Sequence, residues 1–130
     1  MKSNKTTKQH FNLFKKECKK WLQIFSLGDW EDNYWHDGES SEDGLARVNA
    51  NADGKRADFY LSKDWKIQPI NNAEIKSTAF HEVGHLLLAD MAEFARDRNR
   101  GYREVDNHEV QHAIIRRLEN GIYKRLLDKS

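Results

Sequence analysis

Apolar residues recur at helical spacing in the first fifth of the chain. Phe11, Phe14, Cys18, Trp21, Leu22 and Phe25 follow steps of three and four, which puts them on one face with lysines opposite. The spacing predicts a helix over residues 7–27, closed by Gly28-Asp29. Residues 30–44 are acidic and irregular, and Tyr34-Trp35 starts a short strand. From Leu45 the period changes. Residues 45–49 and 57–61 read as two strands of a hairpin around Asp53-Gly54, with the glycine expected to supply the positive φ. Trp65-Lys66-Ile67 makes a further short strand before Pro69, the single proline. A long helix is expected over residues 71–99, opened by an Asn71/Glu74 capping pair and closed by Arg96, Arg98, Arg100 and Gly101. A last helix is expected over residues 106–128, with Ile114, Ile115, Leu118, Ile122 and Leu126 on its inner face. The fold class is therefore α+β: an N-terminal helix, a small antiparallel-rich three-stranded sheet, then two long helices.

Composition narrows the picture. At 130 residues the chain is one domain's worth, read as a single domain over 1–130. It is polar, with 33% charged residues, but four Trp, four Tyr and six Phe suffice for a compact core. The longest apolar run, residues 86–89, is far short of a membrane span. No apolar stretch follows the first lysines as in a secretory signal. The single cysteine, Cys18, excludes an internal disulfide framework and reads as a core residue, so a reducing cytoplasm is expected. Net charge is +1, which does not argue for nucleic acid. Charge is nevertheless segregated: residues 1–20 hold seven lysines and one glutamate, residues 28–43 seven acids and no Lys or Arg. Two solvated surfaces explain this, and a basic arm toward nucleic acid is the lesser reading. Asn49, Asn51 and Asp53-Gly54 imitate a calcium loop, but its twelfth position is Tyr60 rather than a bidentate Glu, so calcium is rejected.

The chemistry sits in His81-Glu82-Val83-Gly84-His85. Four residues make slightly more than one helical turn, so both imidazoles leave one face and can share a Zn²⁺. Glu82 lies beside them and can deprotonate a water in the remaining position. Gly84 inside a helix costs about 1 kcal/mol against Ala, which suggests close approach of another segment or of substrate. A second copy, His108-Glu109-Val110-Gln111-His112, lies in the last helix and is better placed to give a third ligand. On a wheel centred on Leu118, His108 falls at about 80°, His112 at about 120° and Glu109 at about 180°. His108 is therefore the expected third ligand, ahead of Glu109 and His112. His112 then becomes a supporting partner or an oxyanion donor, a role open also to Tyr34 and Tyr102.

Over residues 45–125 the chain resembles the zincin metallopeptidases, in particular the small phage and bacterial forms of minimal-gluzincin or SprT-like type. The resemblance rests on the helix from Ser77 through the first motif to Leu88 and on the later helix with Arg116 to Glu119. It implies a twisted sheet packed on an active-site helix, His81 and His85 as zinc ligands, Glu82 as base, and a third ligand from the last helix. Gluzincins use a glutamate there; Asn107-His108-Glu109 with His112 is similar but not identical. The implied partner is a peptide or protein substrate lying along a sheet edge, either strand 57–61 or its hairpin mate. The alternative function is a zincin-shaped binding protein without turnover.

Overall fold

The computed structural model describes residues 3–38, 44–89 and 104–128. It opens with a two-residue strand β1 (Asn4–Lys5) and helix α1 (Lys8–Ile24). Strands β2 (Glu31–His36), β3 (Ala46–Asn51), β4 (Arg56–Leu61) and β5 (Asp64–Lys66) follow. Then come helices α2 (Asn72–Leu87) and α3 (Glu104–Leu118), a π-helical turn (Glu119–Tyr123) and α4 (Lys124–Asp128). The α+β class is as expected. The helix expected over 71–99 ends at Leu87, with Leu88 as its C-cap; residues 90–103, with Arg96, Arg98, Arg100, Gly101 and Tyr102, lie outside the described residues.

Thr7 caps α1 by accepting from the His10 N–H at 3.3 Å, while His10 Nδ1 accepts from the Thr7 N–H at 3.0 Å. The imidazole here takes the part usually played by an acid in a capping box. The helix ends earlier than Gly28. Ser26 adopts the left-handed conformation (φ 58°), and the Leu27 N–H reaches back to the Leu22 carbonyl at 2.8 Å. That six-to-one bond with a left-handed residue before it is a Schellman stop. A serine therefore does what a glycine was expected to do, because Leu27 is drawn onto the core beside it.

The main sheet has strand order β2-β4-β3. β3 and β4 are antiparallel, Val48 facing Phe59, but β2 runs parallel to β4, Tyr34 facing Phe59. The sheet is thus mixed rather than antiparallel-rich. A local hairpin accounts for one pairing; the other requires β2 to be set on the far side of β4, a tertiary arrangement that alternation along the chain does not encode. In the hairpin turn the positive φ falls on Lys55 (51°), not on Gly54. Asn51 Oδ1 accepts from the Gly54 N–H at 3.0 Å, so the side chain sets the bend and left-handed geometry is deferred to the last turn residue. β1 pairs with β5 in a separate two-stranded ribbon, a pairing that two residues of sequence do not announce.

The core lies between the inner sheet face and the helices. Ala57, Phe59 and Leu61 of β4 are fully buried, as are Ile75, Ala79, Phe80 and Val83 of α2. Trp21, Phe80 and Tyr123 join in an aromatic cluster, with ring centroids 4.7 Å apart for Trp21–Phe80 and 4.8 Å for Phe80–Tyr123. Cys18 is buried in the same core, as expected. The inner face foreseen for the last helix holds at Ile115 and fails farther on: Ile122 and Leu126 are exposed, and Tyr123 is buried instead. The π turn is the cause. It packs more residues into a turn, so each advances by less than the about 100° of an α-helix, and the buried stripe slips by one position.

Candidate metal centre

α2 begins at Asn71, whose Oδ1 accepts from the Glu74 N–H at 2.8 Å, as its sequence signature predicts. The helix buries Phe80 and Val83 against the core and leaves His81 and His85 half-buried on the opposite side. Their ring centroids are 4.9 Å apart. α3 packs against this side through Ile115. A Cβ on Gly84 would stand 3.1 Å from Ile115 Cγ1, so the glycine permits the close approach. This is the segment that the small residue anticipated.

That contact brings His112 to the two motif histidines. Its ring lies 4.9 Å from His85 and 5.3 Å from His81. Ligand nitrogens of His81, His85 and His112 all lie within 4.8 Å of one another, and the Nε2 atoms of His85 and His112 are 3.1 Å apart. Tetrahedral zinc with Zn–N bonds of about 2.0–2.1 Å sets its nitrogens about 3.3–3.4 Å apart, a separation between the 3.1 Å of the His85–His112 pair and the 4.8 Å that bounds all three.

His108, the expected third ligand, is not in the trio. It is exposed, its ring centroid 4.1 Å from His112 and 5.9 Å from His85. Facing does not explain the difference. On a wheel centred on Ile115, His108, Gln111, His112 and Glu119 all point toward α2 within roughly 60°. The level along the axis decides. The helices run antiparallel, His81 meeting Glu119 and His85 meeting Gln111, so His112, three residues from Ile115, stands beside the level of His85. His108 is seven residues away, about 10.5 Å at 1.5 Å per residue. Glu109, the other alternative, is exposed and does not border the cleft.

Two further residues of the last helix complete the arrangement, and the sequence reading passed over both. The Gln111 amide oxygen accepts from His85 Nδ1 at 3.0 Å, and Glu119 Oε2 accepts from His81 Nδ1 at 3.4 Å. Protons fixed on both Nδ1 atoms leave Nε2 lone pairs free for a metal. The signal was legible in part: 108, 112, 115 and 119 step by four, three and four. Glu119 is also the first residue of the π turn.

Charge at the site follows from burial. Glu82 is 7% exposed and has no hydrogen-bond or ion-pair partner among the described residues. Desolvation pushes its carboxyl up to about 8. Burial pulls the His85 imidazole down to about 4, and the neighbouring histidines add to the effect while the Gln111 hydrogen bond opposes it. His112 is lowered as well, chiefly by desolvation. Both rings are therefore in the neutral form that a metal requires.

The histidines and Glu82 border a cleft of about 680 Å³ between α2, α3 and β3. β3 is at the edge of its sheet, and Ala46, Val48 and Ala50 line the opposite wall. Of the two strands considered for peptide docking, β4 is central and already paired on both sides, which leaves β3. Of the oxyanion candidates, Tyr34 does not border the cleft: it packs on Phe59 and its hydroxyl donates to Asp32 Oδ2. No helix among the described residues is long and apolar enough to cross a membrane.

No protein-family model, curated protein or solved structure matches the chain.

Proposed function

We propose that this chain is a zinc-dependent metallopeptidase of minimal zincin type, with His81, His85 and His112 as ligands and Glu82 as general base. The observation that carries the reading is the convergence on a single cleft of three imidazoles and one buried carboxyl that has no partner among the described residues. Bound zinc would supply the positive charge that polarises a substrate carbonyl and brings the pKa of water toward about 7.

The chain's own residues supply the rest. Gln111 and Glu119 hold the ring orientations of His85 and His81. Glu82 takes the proton of the attacking water and returns it to the leaving amine. Burial raises this carboxyl in the metal-free protein, and the positive charge of a bound zinc would oppose that shift and leave a carboxylate able to act as base. The outer edge of β3, a strand that pairs with β4 alone among the described residues, would offer backbone N–H and C=O groups to an extended peptide across the cleft from Glu82. Substrate is therefore a peptide or an unfolded protein segment. A lone buried thiol fits a reducing compartment such as the cytoplasm.

The test pairs zinc content with hydrolysis of casein and of a mixed peptide library. Wild type should carry one zinc and cleave; Glu82→Gln should keep the zinc and lose cleavage. A zinc-loaded wild type that cleaves nothing in the library would overturn the enzymatic reading.

A further inference from the structure

Two histidine pairs spaced by four residues face each other across α2 and α3: His81 with His85, and His108 with His112. The proposed centre uses three of them. The fourth, His108, is exposed, borders the same cleft, and holds its ring nearly parallel to that of His85, at 18° and 5.9 Å. Its centroid is 4.1 Å from that of His112. The spacing that makes His81 and His85 a chelating pair applies equally to His108 and His112. Among the described residues His108 belongs to no other group of three donors, so a second ion of its own has no support. Three protein ligands leave a zinc site open to water and substrate, whereas four close it.

We propose that His108 is a reversible plug: in the zinc-loaded resting protein it turns inward as a fourth imidazole donor, and an entering peptide displaces it. The inference rests on the metallopeptidase reading of the trio. The exchange replaces one water by one neutral nitrogen donor and involves no redox change. An exposed side chain on the cleft rim can make this move without disturbing the core, since Ile115 and Gly84 hold the helices together elsewhere.

X-ray absorption of the zinc-loaded, substrate-free protein counts the imidazoles directly. Four are expected in wild type and in Glu109→Ala, and three in His108→Ala. Losing an outer-shell partner weakens metal binding about 10–100-fold, so loss of a direct donor should lower zinc affinity by at least roughly tenfold. Acetohydroxamate, which needs the open position, should bind His108→Ala more tightly than wild type. His108→Gln serves the same comparison should the alanine variant fail to fold. Three imidazoles in both wild type and His108→Ala would remove the plug and leave the trio standing. A wild type that binds no zinc would remove both.

Discussion

The chain carries the same five-residue motif on two helices, and the two copies have different fates. In α2, Glu82 is buried, Val83 is fully buried, and both histidines join the trio. In α3, Glu109 is exposed, Val110 is 52% exposed, and only His112 joins. The letter that differs is instructive. Gly84 opens a place for Ile115, while Gln111 uses its amide to orient His85. Spacing by four gives either copy the means to chelate. What sets the first copy apart is the packing around it, which desolvates its glutamate and sets a third imidazole opposite.

The comparison can be broken most sharply at the glutamates. Glu82→Gln should lower kcat/KM by about 10²–10⁴-fold, the usual share of a general base, with zinc stoichiometry retained. Glu109→Gln should leave hydrolysis unchanged. Equal losses in steady-state assays of the two variants would mean that the copies are not distinguished as described.

The valines come next. Val83→Ala removes two buried methyl equivalents and leaves a cavity, so it should cost about 2 kcal/mol in urea unfolding. Val110→Ala should stay within about 0.5 kcal/mol.

Metal-free protein offers a pH test of the buried carboxyl. An unfolded glutamate ionises above about 4.5, whereas the folded Glu82 keeps its proton up to about 8. The raised folded value means that its contribution is fully present below pH 4.5 and is lost as pH rises to 8. Thermal unfolding in chelator should show wild type losing Tm relative to Glu82→Gln across that window. A constant difference between the two would count against a desolvated carboxyl.

The smallest effect on stability is expected at Gly84. Alanine is favoured over glycine in a helix by about 1 kcal/mol, which offsets crowding against Ile115. Tm should hardly move, yet zinc affinity should fall, because the Ile115 contact sets the level at which His112 meets His81 and His85. Chelator competition on Gly84→Ala reads this directly; unchanged affinity would detach the helix contact from the metal centre.

Much of the architecture was legible because it is local. Helical spacing placed α1 and α2, Asn71 announced its cap, alternation placed β3 and β4, and the first motif put His81, Glu82 and His85 on one stretch of helix. What escaped was non-local. The parallel pairing of β2 with β4 joins segments separated by a whole strand. The π turn shifted the buried stripe from Ile122 to Tyr123, a change of phase that a uniform wheel cannot contain. The choice of His112 over His108 failed to appear for a related reason: a wheel records angle and has no coordinate along the axis.

Sequence alone therefore determined the two histidine pairs and that each pair shares a helix face, since bond geometry fixes the turn. Tertiary structure decided which pair members meet, which glutamate is stripped of water and which strand edge faces them. The meeting of the imidazoles depends on how closely two helices touch, and the absent side chain at Gly84 lets the branched one at Ile115 come close.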